Sequence, residues 1–152
     1  MNDASALYQD AIKQLATAAH GQGRLDVPGG EARLDNPLCG DRVNMQVAVA
    51  AGRIEALAHQ TKGCLLCRAA ASLIGQRAPG SDQAGIAAIA AALEQLLRDG
   101  APAPGQWPEL ALFEPARNYP SRHKCVLLPF RALQAALHNA AAATSTGDHR
   151  GK

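Results

Sequence analysis

The chain has 152 residues, with 15 basic and 13 acidic side chains giving a net charge of +2, and only two tyrosines, two phenylalanines and one tryptophan. That length suits one domain with its own core, while the interspersed charges exclude a strong field for nucleic acid or an anionic membrane. The scattered rings likewise offer no stacking platform for single strands.

Residues 4–19 place Leu7, Ala11, Ile12, Leu15, Ala18 and Ala19 on the stripe of an amphipathic helix, with Asp3 as its N-cap. Gly21–Gly30, glycine-rich and containing Pro28, reads as a loop, and a short extended segment follows at Glu31–Leu34. Asn36-Pro37-Leu38-Cys39-Gly40-Asp41 spells a tight turn that opens a hairpin. Val43, Met45, Val47 and Val49 alternate with Asn44, Gln46 and Ala48, the period of a half-buried strand. Ala51-Gly52-Arg53 turns the chain, and Ile54–Gln60 returns as the partner strand.

At Gly63-Cys64 the period changes, predicting a helix over Leu65–Gln76 that begins at or just after Cys64 and ends at Pro79-Gly80. Ser81 or Asp82 caps the next helix, whose stripe of Ile86, Ile89, Ala90, Leu93, Leu96 and Leu97 runs to the Asp99-Gly100 stop. The three prolines of residues 101–108 mark a loop, and Glu109–Arg117 reads as a short helix broken at Tyr119-Pro120. Pro129 has no N–H, which places it among the first four residues of the last helix. That helix is therefore predicted to start near Val126, with Val126, Leu127, Phe130, Leu133 and Leu137 as its apolar face. Residues 1–140 form one domain on this reading, and the small and polar residues 141–152 a disordered tail.

These elements predict an α+β fold. A small three-stranded antiparallel sheet carries about five helices, which must cover one side of it for a sheet this small to be stable. The longest apolar run, Ile86–Leu93, is eight residues, far short of the roughly 20 needed to cross a bilayer. Met1–Ser5 has neither the basic start nor the apolar stretch of a secretory signal. A cytoplasmic, reducing compartment is expected, where four cysteines serve metal or sulfur chemistry rather than two disulfides.

Three cysteines fall at parallel places: Cys39 in a glycine turn, and Cys64 and Cys125 at predicted helix starts. The positive end of a helix lowers a thiol's pKa, so Cys64 and Cys125 are expected as thiolates near neutral pH. Asp41, two residues after Cys39, can turn a carboxylate oxygen toward the same point. Three thiolates and a carboxylate suit a tetrahedral soft-metal site for zinc or iron, or an iron–sulfide cluster. On spacing alone, the same cysteines serve equally well as small buried apolar residues. Cys67 completes a C-x-x-C with Cys64 and reads as a filler of the first helical turn or as an extra sulfur. His123 is a spare ligand at most, and His20, His59, His138 and His149 read as surface or tail residues.

Asn36-Pro37-x-Cys39-Gly40-Asp41, Gly63-Cys64 with Ala71-Ser72 after it, and Tyr119-Pro120-x-Arg122-x-Lys124-Cys125-x-Leu127 with Leu133 resemble the U-type iron–sulfur cluster assembly proteins, the IscU, SufU and NifU N-terminal family. With Leu7-Tyr8-x-x-x-Ile12 the likeness runs from about residue 5 to 140. The 61 positions from Cys64 to Cys125 (125 − 64), the helix at 82–99 with its proline-rich exit, and Arg122 are most similar to the SufU branch. Lys124 stands where IscU carries a histidine, and the Leu-Pro-Pro-Val-Lys motif of IscU is absent.

The resemblance implies a SufE/IscU-like fold with a metal site at an exposed end. It implies a zinc ion held by Cys39, Asp41, Cys64 and Cys125, with Cys125 accepting persulfide sulfur from a SufS-like cysteine desulfurase. Arg122 would orient the partner or stabilise the thiolate, and downstream iron–sulfur assembly proteins would receive the sulfur. The alternative implied by the IscU side is a scaffold that builds a two-iron, two-sulfur cluster on Cys39, Cys64 and Cys125 and passes it on. A third expectation, a structural zinc domain used only for protein contacts, would require buried and inert ligands.

Overall fold

The computed structural model describes residues 9–150. Its elements are α1 (Asp10–Ala18), β1 (Gly30–Asn36), β2 (Asp41–Ala50), β3 (Arg53–Lys62), α2 (Leu65–Arg77), α3 (Gln83–Asp99), a 3-10 helix (Pro108–Asn118) and α4 (Pro120–Arg150). The predicted cap Asp3 and Leu7 lie outside the described residues. Where α1 enters, Gln9 is the N-cap and makes no side-chain cap bond.

The three strands form one antiparallel sheet in the order β1-β2-β3. β1 and β2 pair from Gly30 with Val47 to Asn36 with Asp41; β2 and β3 pair from Arg42 with Lys62 to Ala50 with Arg53, around a bulge at Ala48/Val49. The period-two pattern puts Val43, Met45 and Val47 on one face, all fully buried, under α4, while α2 packs on the neighbouring β3. The other face is polar, with Arg33, Arg42, Gln60 and Lys62 exposed. The loop before β1 reaches over it, where Gln46 Oε1 accepts the Leu25 N–H at 2.8 Å. Leu66, Leu73, Ile74, Ile86, Leu93, Leu97, Phe113 and Phe130 fill the space between sheet and helices, and Trp107 packs against Phe130 with ring centroids 5.8 Å apart.

Two close approaches need glycine. A Cβ on Gly75 of α2 would overlap the His20 carbonyl oxygen, and one on Gly30 would overlap the Ala136 carbonyl of α4. Asp82 caps α3 as expected, accepting the Gly85 N–H at 2.7 Å, and Gly100 ends it in the left-handed region.

Three expectations require correction. The last helix begins at Pro120, not near Val126. The structure gives the first-turn proline role to Pro120, whose missing N–H costs nothing there, and tolerates Pro129 inside the helix. Pro129 cannot donate to the Cys125 carbonyl one turn back, and tight burial of this stretch offsets that loss. The Glu109–Arg117 helix is 3-10 rather than α, with Pro108 at its start and Pro115 inside. His59 is not a surface residue but 2% exposed, because the register sets it opposite Met45 on the helix-facing side. The backbone of α4 runs on to Arg150 through the strong helix formers Ala140–Ala143, over part of the expected tail 141–152.

The β2–β3 turn has Ala51 at φ +54° and Gly52 at φ +78°, the two left-handed positions of a type I′ hairpin. Asn tolerates that conformation better than Ala, so Ala51→Asn is expected to stabilise the protein by roughly 0.5–1 kcal/mol, read as a rise in the urea midpoint at unchanged m. His59 offers one ring nitrogen to Thr61 Oγ1 at 2.9 Å and the other to the His20 carbonyl at 2.8 Å. Burial lowers its pKa below 6.5, and the bond to His20 opposes that only in part. The unfolded chain therefore binds the extra proton first, so stability is full above about pH 6.5 and falls as the pH drops toward the lowered folded value. Denaturant midpoints measured with a metal chelator from pH 7.5 to 5 should show this slope, reduced in His59→Gln.

Candidate metal centre

Four segments meet at one end of the sheet. The β1–β2 turn, Pro37–Gly40, closes with the Cys39 N–H donating to the Asn36 carbonyl at 3.2 Å, and Gly40 supplies the left-handed step at φ +73°. Asp41 opens β2 opposite Asn36. Cys64 is the N-cap of α2. Cys125 lies in the second turn of α4, as its sixth residue.

Asp41 is 2% exposed. Its Oδ1 accepts the Cys64 backbone N–H at 2.9 Å, and its Oδ2, also buried, finds no hydrogen-bond partner among the described residues. Gly63, at φ +149°, lies against this carboxylate so closely that a Cβ would overlap it. The Cys125 thiol donates to Cys39 Sγ at 3.2 Å, and the buried Asn36 side-chain amide donates to Cys125 Sγ at 3.9 Å. Ligand atoms of Cys39, Asp41 and Cys125 all fall within 4.8 Å of one another.

Of the four predicted metal ligands, the structure gathers these three in one group. Cys64 borders them through its N–H on Asp41; its sulfur lies outside the 4.8 Å group. Arg122 sits half-buried in the first turn of α4, one turn before Cys125, with its N–H on the Tyr119 carbonyl at 2.7 Å. His123 does not face the group: its Nε2 reaches the Ala116 and Arg117 carbonyls at 3.0 and 3.2 Å, closing the end of the 3-10 helix. Asn36 and Gly63 belong to the centre although only their motif positions pointed to them. An amide paired across the hairpin with a buried carboxylate, and a glycine just before a helix-capping cysteine, were the signals available.

The expectation that Cys125 is a thiolate by virtue of a helix start is corrected by its position inside α4. Burial pushes its thiol up, followed by its hydrogen bond with Cys39 and by the nearby Asp41 carboxylate and Cys64. Cys67, 0% exposed one turn into α2, is also pushed up, first by burial and then by the charges of Asp41, Cys64 and Cys39. Burial and crowded anions both oppose thiolate formation, and a divalent cation among these groups reverses that balance. Two sulfurs and an orphaned carboxylate oxygen are the donor set that zinc or ferrous iron takes. The residues present therefore fit a soft divalent metal.

A three-stranded antiparallel sheet under helices, ending in a cluster of thiols and a carboxylate, defines an α+β domain with a candidate metal centre. The chain belongs to the NifU-like N terminal domain family, whose model matches residues 7–139. It is 28% identical over 131 residues to the iron-sulfur cluster assembly scaffold protein IscU of Thermotoga maritima, covering 86% of this chain and 92% of that one. To the protein of the same name from Streptococcus pyogenes it is 28% identical over 148 residues, covering 96% and 92%. Among solved structures, the N-terminal part of a nitrogen-fixing NifU-like protein from Brucella abortus superposes with a TM-score of 0.86 at 27% identity, over 91% of this chain and 96% of that one. A putative iron-sulfur cluster assembly scaffold for the SUF system from Fervidobacterium islandicum shares the fold, with a TM-score of 0.81 at 20% identity over 89% and 99%.

Because Asp41 is seated on Gly63, Gly63→Ala is expected to displace the carboxylate and weaken the binding of an added divalent metal roughly 10-fold or more, as loss of a supporting contact typically does. Competition with a chromophoric chelator measures this, and an unchanged far-ultraviolet circular dichroism spectrum would place the loss at the site.

Proposed function

We propose that this protein serves iron–sulfur cluster assembly as a zinc-dependent sulfur acceptor of the SufU kind, working with a cysteine desulfurase in the cytoplasm. The observation that carries the reading is the convergence of the Cys39 and Cys125 thiols on a buried Asp41 oxygen that has no other partner. Cys39, Asp41 and Cys125 hold the ion, and Cys64, at the rim, completes four donors by turning its side chain inward. A bound zinc ion supplies the positive charge that keeps these thiols deprotonated.

Cys125 is the acceptor. Its thiolate attacks the outer sulfur of the persulfide on the desulfurase. The donor's sulfur–sulfur bond breaks, the donor cysteine leaves as a thiolate, and a new sulfur–sulfur bond forms on Cys125, with no net oxidation. Cys125 has no exposed surface, so the persulfide reaches it by displacing the Pro37–Gly40 turn, whose tip residue Leu38 is 85% exposed. Arg122 positions the thiolate from one turn earlier on α4, and downstream assembly proteins take the sulfur on.

The names of the two curated relatives favour a second reading, a scaffold that builds a two-iron, two-sulfur cluster on Cys39, Cys64 and Cys125 and delivers it. A structural zinc domain fits less well, since Cys39 and Cys64 are half-exposed where inert ligands would be buried.

Protein purified without added metal should carry about one zinc per chain and strongly stimulate a cysteine desulfurase, with the stimulation lost in Cys125→Ala. Iron with acid-labile sulfide, and transfer to an apo-acceptor without stimulation, would establish the scaffold reading instead.

A further inference from the structure

Cys67 is the thiol that the proposed centre does not use. It is 0% exposed and stands at the third position of α2, three residues after the N-cap Cys64, which is half-buried. We propose that Cys64 and Cys67 form a reversible dithiol–disulfide switch, in which a peroxide oxidises the pair and so removes Cys64 from the metal donors. The disulfide itself stands on the geometry of α2; only its consequence for the metal rests on the function proposed above.

The geometry comes from the helix start. An N-cap side chain folds over the first turn toward the backbone of the third helical residue, which here is Cys67. The Cys64 backbone is extended, with φ −69° and ψ 166°, and its side chain makes no capping hydrogen bond, so Cys64 Sγ is not committed to the helix N–H groups. Side chains three residues apart on a helix have Cβ atoms about 5–6 Å apart, against about 3.5–4.5 Å in a disulfide. The N-cap can close that gap of roughly 1–2 Å because it stands at the helix edge rather than within it. Cys39 and Cys125, by contrast, lie on other elements and face each other at 3.2 Å.

Difference in exposure sets the order of events. Peroxide meets the half-buried Cys64 first: the thiolate takes one oxygen, becomes a sulfenic acid, and hydroxide leaves. The Cys67 sulfur then attacks Cys64 Sγ, the sulfur–sulfur bond forms, and the displaced hydroxyl leaves as water with the Cys67 proton. Overall, two thiols and one hydrogen peroxide give one disulfide and two waters, and an added dithiol reverses the reaction. Drawn toward Cys67, Cys64 Sγ turns away from Cys39, Asp41 and Cys125, and the donor set falls from four to three.

The test uses the full chain loaded with zinc and treated with hydrogen peroxide. Cleavage after Lys62 and Arg68 releases Gly63–Arg68, which contains both cysteines. The expected result is that this peptide appears two hydrogens lighter and resistant to alkylation, that zinc is released to a chromophoric chelator in step, and that dithiothreitol reverses both. In Cys67→Ala, zinc should bind normally before treatment, and Cys64 should pass on to sulfinic acid that dithiothreitol does not reverse. A peptide that still alkylates, or a Cys39–Cys125 link in its place, overturns the switch. A Cys64–Cys67 disulfide with zinc retained overturns its effect on the metal. Should the protein bind no zinc at all, the functional reading fails, while the peptide mass after peroxide treatment of the metal-free chain still decides the disulfide.

Discussion

The centre depends on one buried carboxylate. Asp41 has almost no exposed surface, one oxygen on the Cys64 N–H and the other without a partner among the described residues. An ionised carboxylate in such a place is costly unless it is paired or bound to a metal. The surrounding elements are arranged around that cost. Gly63 leaves room for the carboxylate, and Cys64 presents the first free N–H of α2 to it. The β1–β2 turn then brings Cys39 to its open side.

The position of Cys125 inside α4 gives the centre an asymmetry. Cys39 comes from a turn, and Cys64 at the rim from a helix cap, whereas Cys125 is fully buried in the second turn of α4. Pro129 leaves the Cys125 carbonyl without its usual helical donor, and the helix holds there because Cys125, Val126, Leu128 and Phe130 are buried around it.

The sheet divides the molecule between structure and access. Its buried face carries Val43, Met45, Val47 and His59 against the helices, and its open face carries charged and amide side chains. Among the described residues no helix is long and apolar enough to cross a membrane. The centre sits where the sheet ends and the helices begin, with Leu38 projecting beside it.

The sequence by itself determined the hairpins, α2 and α3, because period-two and helical apolar patterns, Ala51-Gly52, the Asp82 cap and the Gly100 stop are local signals. It also brought Cys39, Asp41, Cys64 and Cys125 into view, since those side chains share a chemistry whatever their spacing. The start of α4 was not legible: Pro120 and Pro129 both suit a first turn, and only packing selects between them. The burial of His59 depended on its partner across the sheet, which no local pattern names. Tertiary structure alone decided that Cys39, Asp41 and Cys125 converge while the Cys64 sulfur stays at the rim, that Asn36 and Gly63 support them, and that His123 turns to the 3-10 helix. Such proximity is made by pairing and packing across a separation of 86 positions between Cys39 and Cys125, and nothing in the neighbourhood of either residue encodes it.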